Sequence, residues 1–271
     1  MSVSSEYDSR DGAGGPTGSA PRRVLRALAV AILIAAVGIG TGAFLVIAAA
    51  VALESAGVSV TPLLSVVLSL TLATGVGFGG VAAGYLRYRG VGLDYVGVAV
   101  PSLWEGAYVV AGYVGALALL VVASVVISSL GVETAPNVAA EIGTEHPEVL
   151  LLLIPASFLL IGPGEELLYR GVVQNRLGEA LPAPAAIVLA SLIFASIHFF
   201  SLSGAPKARI VSISVLVLPT LVFGTVYELT DNIVVPALIH GTYNATLFSL
   251  LYLTLQYAGT DLARTSALVT L

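Results

Sequence analysis

The stretch ALAVAILIAAVGIGTGAFLVIAAAVAL, residues 27–53, contains no charged side chain. A helix needs about 20 such residues to cross the roughly 30 Å hydrocarbon core of a bilayer, so this run is long enough to span a membrane. The hydrophobic region of a cleaved signal peptide is only about 7–15 residues long, which favours an uncleaved anchor. The run therefore predicts a chain built from membrane-spanning helices.

Six further apolar runs support this interpretation. They lie at about 60–86, 104–130, 149–174, 183–202, 210–227 and 233–257. Charged residues make up only 10% of the chain and hydrophobic residues 57%, whereas a soluble domain contains about a quarter charged residues. We therefore expect an all-α, polytopic membrane bundle of seven helices, or of eight if the last run is divided.

The composition of the ends differs from that of the middle. Residues 1–21 are rich in Ser, Gly, Asp and Pro, and such a segment buries too little apolar surface to offset the entropy of ordering. We expect a disordered tail at 1–21, N-terminal transmembrane helices at 22–144, a transmembrane core that carries the chemistry at 145–257, and a C-terminal tail at 258–271.

Basic residues indicate how the chain is oriented in the cell membrane. They flank the first run, the end of the second and the end of the fourth, at Arg22, Arg23, Arg26, Arg87, Arg89, Arg170 and Arg176. Loop 131–148 carries four glutamates and no Lys or Arg, although Lys207 and Arg209 count against the same topology. Because cytoplasmic loops are enriched in Lys and Arg, we expect a cytoplasmic N-terminus.

The composition also excludes several kinds of partner and chemistry. The net charge is −5 and no extended basic run is present, so we expect no nucleic-acid binding. The chain has no cysteine, which excludes disulfides, thiolate metal sites and cysteine nucleophiles. Histidines and carboxylates remain as bases and ligands.

Ionisable residues inside the apolar runs carry the functional signal, because a charged residue at the centre of a membrane helix costs about 2.5–3.5 kcal/mol. They are Glu165, Glu166 and Arg170 in the fourth run, His198 in the fifth, and His240 with the polar Asn244 in the seventh. Glu166 and Arg170 are four residues apart and can form an ion pair on one helical face. Glu165 is rotated by roughly 100° and stays free to act as a general base.

Residues from three runs can converge on one cavity. His198 follows Phe194 by four residues, and His240 precedes Asn244 by four, so each pair shares a helical face. We expect the site among the fourth, fifth and seventh runs, in a cavity that opens toward the cytoplasmic side. Such a group can activate a water and stabilise an oxyanion, or the two histidines and a glutamate can hold Zn²⁺ with an open coordination position.

Three motifs in this order resemble those of a known family. EELLYR at 165–170, FASIH at 194–198 and HGTYN at 240–244 match the EExxxR, FxxxH and HxxxN/D motifs of the CAAX-protease and bacteriocin-processing (CPBP, or Abi) intramembrane proteases, which include type II CAAX prenyl endopeptidases. Each motif alone is weak, but all three lie inside apolar runs. The resemblance covers about residues 145–250.

The resemblance implies an intramembrane endopeptidase whose substrate is a membrane-associated peptide or protein, such as a prenylated CAAX protein. Glu165 and His198 would activate the water. His240 and Asn244 would bind the oxyanion. Glu166 and Arg170 would form an ion pair that holds the site together. Phe194 would pack against the site and support it. The family is described both as glutamate-dependent and as metal-dependent, so Glu165, His198 and His240 are also the alternative zinc ligands.

Two other function classes can use the same residues. A proton- or ion-coupled transporter would relay protons through intramembrane carboxylates and histidines, but no paired halves are visible in the sequence. A non-catalytic membrane scaffold or immunity protein would keep the fold for partner binding alone. The H-E-x-x-H motif of zinc metalloproteases is absent.

Overall fold

The computed structural model describes residues 20–257. Within them, seven helices are long and apolar enough to cross a membrane, which we call the first to seventh spans: Ala20–Ser55, Pro62–Arg89, Leu103–Ser129, Pro147–Gly178, Ala183–Phe200, Pro206–Thr230 and Val234–Tyr257. The described residues form no β-strand. The protein is a polytopic all-α membrane bundle, as the sequence predicts, and the seventh span is not divided.

The segments outside the spans are short. A single 3₁₀ turn, Leu93–Tyr95, lies between the second and third spans, and the helix Val138–Glu145 lies before the fourth. The predicted tails at 1–21 and 258–271 lie outside the described residues, except that the first span begins at Ala20.

Local sequence signals explain where several spans begin. The Thr61 hydroxyl accepts a hydrogen bond from the Leu64 amide at 3.2 Å. Ser102 and Glu105 form a reciprocal capping box at the start of the third span. Both arrangements satisfy backbone amides that have no partner within the helix. Proline, which needs no such partner, occupies the first turn of three other spans, at Pro147, Pro184 and Pro206.

The fourth span lies at the centre of the bundle and is irregular where its charged residues lie. Two π-helical segments, Ser157–Ile161 and Leu167–Gln174, flank the short α-helical segment Gly162–Glu166. Local π-helical turns within α-helices are frequent at functional sites. Residues 168–174 are all buried, which surrounds the polar residues of this span with protein rather than lipid.

The fourth and seventh spans approach closely because glycines lie at their contact. A Cβ atom added to Gly162 would lie 2.7 Å from the Ala237 carbonyl oxygen, and one added to Gly241 would lie 3.0 Å from the Ser157 carbonyl oxygen. Small residues at such crossings allow helix backbones to pack closely in membranes. This approach brings the glutamates of the fourth span to His240.

Candidate active site

The predicted ion pair between Glu166 and Arg170 is present and fully buried. Nε of Arg170 donates to Oε2 of Glu166 at 3.1 Å, and both side chains have zero exposure. The remaining guanidinium nitrogens donate to the Thr220 carbonyl at 3.0 Å and to the Ser191 hydroxyl at 3.4 Å. A buried charge is costly unless it is paired and hydrogen-bonded, so the fifth and sixth spans complete the environment of Arg170.

The second oxygen of Glu166 holds His240. Nδ1 of His240 donates to Oε1 of Glu166 at 2.8 Å, and the imidazole stacks on Phe223 with ring centroids 5.1 Å apart and an interplanar angle of 24°. Because Nδ1 is occupied, Nε2 is the nitrogen left for chemistry. It lies 3.9 Å from Oε2 of Glu165.

Glu165 has a different environment from its neighbour Glu166. Its side chain is 12% exposed, whereas that of Glu166 is fully buried, and Glu165 lines the cavity described below. The 3.9 Å separation from His240 is too long for a direct hydrogen bond and is compatible with a bridging water. One carboxylate is thus committed to Arg170 and His240, and the other faces the cavity.

His198 and Asn244 line the same cavity as Glu165 and His240. Nδ1 of His198 donates to the Phe194 carbonyl at 3.0 Å, which leaves Nε2 of this ring available. The buried Phe194 ring contacts both imidazoles edge-on, with centroids 4.9 Å from His198 and 5.9 Å from His240. The structure therefore brings the residues of all three motifs together.

The cavity has a volume of about 500 Å³ and is lined by five of the spans and by the segment 137–142. The sequence placed the site among three spans; the second and sixth also contribute, through residues such as Thr74 and Phe223. No Lys or Arg lines the cavity, and most of its wall is apolar. Such a wall suits an apolar, uncharged ligand.

The cavity extends from Glu165 to the end of the bundle that holds residues 131–146 and 201–205. No lining residue comes from the connections 90–102, 179–182 and 231–233 at the other end. Because consecutive spans alternate in direction, the N-terminal arginines lie at that other end. The expectation of a cytoplasmic opening is therefore incompatible with that of a cytoplasmic N-terminus.

Three residues of the site were missed by sequence analysis. Phe223 stacks on His240, and Ser191 and the Thr220 carbonyl bind Arg170. Ser191 lies three residues before Phe194 on one face of the fifth span, a spacing that is visible in the sequence. Thr220 acts through its backbone carbonyl, so its side chain gives no signal.

The zinc alternative requires Glu165, His198 and His240 to converge as ligands. Across residues 20–257, no three His, Asp or Glu side chains are arranged to hold a metal ion. Nδ1 of each histidine is occupied by a protein acceptor, so only Nε2 of each ring is available as a ligand. These side chains do not fit a zinc site in this arrangement.

Together, the fold and the site define a multi-pass membrane protein with a polar, histidine- and glutamate-containing centre inside the bundle. Residues 147–246 match the family model described as Rce1-like: Type II CAAX prenyl endopeptidase Rce1-like. The match contains all three motifs and confirms the resemblance to CAAX-type intramembrane proteases. Comparison with curated proteins and with solved structures finds no match.

Proposed function

We propose that the protein is an intramembrane endopeptidase that hydrolyses a peptide bond in a membrane-associated substrate. The observation that carries this proposal is the placement of Glu165. Its carboxylate faces an apolar cavity, 3.9 Å from Nε2 of a histidine that is itself fixed by a second carboxylate. A free base beside a fixed imidazole is the arrangement that hydrolysis needs.

His240 is positioned through a series of buried contacts. The Thr220 carbonyl and Ser191 hydroxyl hold Arg170, Arg170 holds Glu166, and Glu166 accepts from Nδ1 of His240. Each contact restricts the position of the next side chain in the series. Nε2 therefore has a defined direction toward the cavity, and electrostatic catalysis depends on such preorganisation.

The proposed reaction begins with a water bound between Glu165 and His198. Glu165 accepts a proton from the water as its oxygen attacks the carbonyl carbon, which gives a tetrahedral intermediate with a negative oxygen. The same proton then passes to the peptide nitrogen, the C–N bond breaks, and a carboxylic acid and an amine leave. No oxidant, reductant or covalent enzyme intermediate is required.

The negative oxygen of the intermediate is stabilised by His240 and Asn244. Nε2–H of His240 donates one hydrogen bond, and the negative charge of Glu166 at Nδ1 supports the protonated ring. Asn244 lies one helical turn further along the seventh span and lines the same cavity, so its side-chain amide supplies the second donor. Removing one such donor typically costs about 10²–10³ in rate.

The substrate class follows from the cavity wall. Apolar side chains form most of the wall, which favours a lipidated or membrane-embedded peptide over a hydrophilic one. Prenylated CAAX proteins, bacteriocin-like peptides and membrane-anchored regulators are the substrate types to be compared. We propose the cell membrane as the location.

A direct test compares Glu165→Gln with wild type in proteoliposomes. The assay follows cleavage of membrane-anchored peptides of these three types by mass spectrometry of their termini. Loss of the general base lowers the rate by about 10²–10⁴. Glu228→Gln is the matched control, because Glu228 is exposed at the opposite end of the bundle, and it retains the wild-type rate.

Undiminished cleavage by Glu165→Gln overturns the assignment of the base. The transporter alternative makes the opposite forecast: Glu165→Gln changes proton-coupled flux in liposomes, while no peptide is cut by either protein.

A further inference from the structure

We propose that this enzyme, if the function above holds, takes its substrate from the extracytoplasmic side of the membrane, as an uncharged apolar segment of a membrane-anchored peptide. Three features support this orientation and substrate: the end of the bundle that the cavity reaches, the distribution of Lys and Arg between the two ends, and a cavity wall without Lys or Arg.

The mouth of the cavity is an ordered rim. The amide of Val138 donates to the Ser201 carbonyl at 2.9 Å, and the amide of Ser203 donates to the Pro136 carbonyl at 3.0 Å. The Ser212 hydroxyl of the sixth span accepts a hydrogen bond from the Ala135 amide and donates one to the Ala135 carbonyl, both at 2.9 Å. We call residues 135–138 and 201–203 the rim. Val138, Ser201 and neighbouring residues also line the cavity, so the rim forms part of its wall at this end of the bundle.

The opposite end of the bundle is closed by a polar network. Glu179 accepts hydrogen bonds from Arg89 at 3.0 Å, from Tyr95 at 2.8 Å and from Arg176 at 2.6 Å. Asn175 adds a bond of 2.8 Å to the Tyr95 carbonyl. These contacts tie the connection between the second and third spans to the end of the fourth. None of the residues that line the cavity comes from the connections at this end.

Basic residues divide unequally between the two ends. Among the described residues outside the buried site, six Lys or Arg lie at the end of the bundle that holds Glu179, which we call the closed end, and two lie at the rim end. The six are Arg22, Arg23, Arg26, Arg87, Arg89 and Arg176. The two are Lys207 and Arg209. Short cytoplasmic connections are enriched in Lys and Arg. The closed end is accordingly cytoplasmic and the rim extracytoplasmic.

The cavity wall defines what can enter. Its ionisable lining residues are Glu165, His198 and His240, all of which the proposed reaction uses, together with Tyr243. No Lys or Arg is present to neutralise a carboxylate of the substrate, and burying an unpaired charge is costly. The segment that binds is therefore neutral, and its charged ends remain outside the cavity.

Cysteine labelling tests the orientation without reference to activity. The chain has no native cysteine, so single variants can be labelled on intact cells with a membrane-impermeant maleimide. We expect Val138→Cys at the rim and Ala205→Cys beside it to react without permeabilisation. Asp94→Cys and Glu228→Cys at the closed end, both at exposed positions, react only after permeabilisation. The reverse labelling pattern overturns the proposed orientation but does not contradict the proposed proteolytic function.

A pair of reporters tests the side of entry. Two single-span proteins carry the same Leu- and Ala-rich segment, placed at the extracytoplasmic end of the span in one and at the cytoplasmic end in the other. We expect wild type to cut only the first, and Glu165→Gln to cut neither. Cleavage of only the second overturns the proposal. If neither is cut, the absence of cleavage counts against the proposed function, and the labelling pattern alone decides the orientation.

Discussion

Oε2 of Glu165 lies 3.9 Å from Nε2 of His240, although the two residues are 75 positions apart in the chain. The gap admits a water but not a direct hydrogen bond. Nδ1 of His240 is occupied by the neighbouring Glu166 at 2.8 Å. Two consecutive glutamates therefore lie near opposite nitrogens of one imidazole, but only Glu166 is hydrogen-bonded to it. Replacing one glutamate is expected to have different consequences from replacing the other.

Glu166→Gln is expected to reduce stability as well as activity. The substitution leaves the fully buried Arg170 without its counter-ion, and breaking a buried ion pair costs about 3–5 kcal/mol. Thermal unfolding of the detergent-solubilised protein measures the effect. Glu165→Gln is the control, because it removes an unpaired cavity carboxylate and leaves the unfolding temperature close to that of wild type.

The double variant Glu166→Gln with Arg170→Met separates the two roles of Glu166. Replacing both partners removes the uncompensated charge, so much of the stability returns. Activity stays low, because Nδ1 of His240 still lacks its carboxylate. A double variant that is as unstable as Glu166→Gln contradicts the ion-pair explanation.

His240→Ala and Asn244→Ala test the oxyanion site. Each is expected to lower kcat by about 10²–10³ with little change in KM, because the lost hydrogen bond forms mainly in the transition state. Thr242→Ala is the control on the same helix, since its exposed hydroxyl bonds only the Leu238 carbonyl. A rise in KM at constant kcat would assign both residues to substrate binding instead.

Gly241→Ala tests the close contact between the fourth and seventh spans. The added Cβ would lie 2.9 Å from Cδ1 of Phe158 and 3.0 Å from the Ser157 carbonyl oxygen. Overpacking of this kind typically costs about 1–3 kcal/mol, and it displaces His240 from Glu166. We expect lower stability and lower activity together. Gly115→Ala is the control, because nothing lies within 4 Å of its added Cβ.

The hydrogen-bonded carboxyl of Glu179 leads to a prediction about the stability of the protein in acid. Burial opposes the charge of Glu179, but hydrogen bonds from Arg89 and Tyr95 outweigh it and hold the pKa of this carboxyl below its usual value. A folded-state pKa below the unfolded one contributes stability at neutral pH that is lost as pH falls through the folded value. Glu179→Gln should therefore be less stable than wild type at pH 7. The difference should vanish in strong acid, as followed by unfolding temperature against pH.

Chelation separates the glutamate mechanism from the zinc alternative. We expect EDTA or 1,10-phenanthroline to leave the rate of peptide cleavage unchanged, because the proposed reaction uses Glu165 as the base and requires no metal. Loss of activity on chelation, restored by added Zn²⁺, would instead assign Glu165, His198 and His240 as ligands.

Much of the architecture could be predicted because its signals are local. The number of spans follows from run length, since each run must cover the hydrocarbon core by itself. The ion pair between Glu166 and Arg170 follows from helical spacing, because residues four apart share a face. The three motifs likewise predict, from polar side chains inside apolar runs, which residues lie at or beside the cavity.

Other features depend on which spans pack together, and no local signal encodes that. Glu166 meets His240 because Gly162 and Gly241 allow two distant spans to approach. Phe223 stacks on His240 from a span that carries no motif. Residues 135–138 and 201–203 pair through backbone hydrogen bonds, and both segments contribute to the cavity wall. These contacts join residues far apart in sequence, so their geometry exists only once the helices have assembled and buried their polar groups against one another.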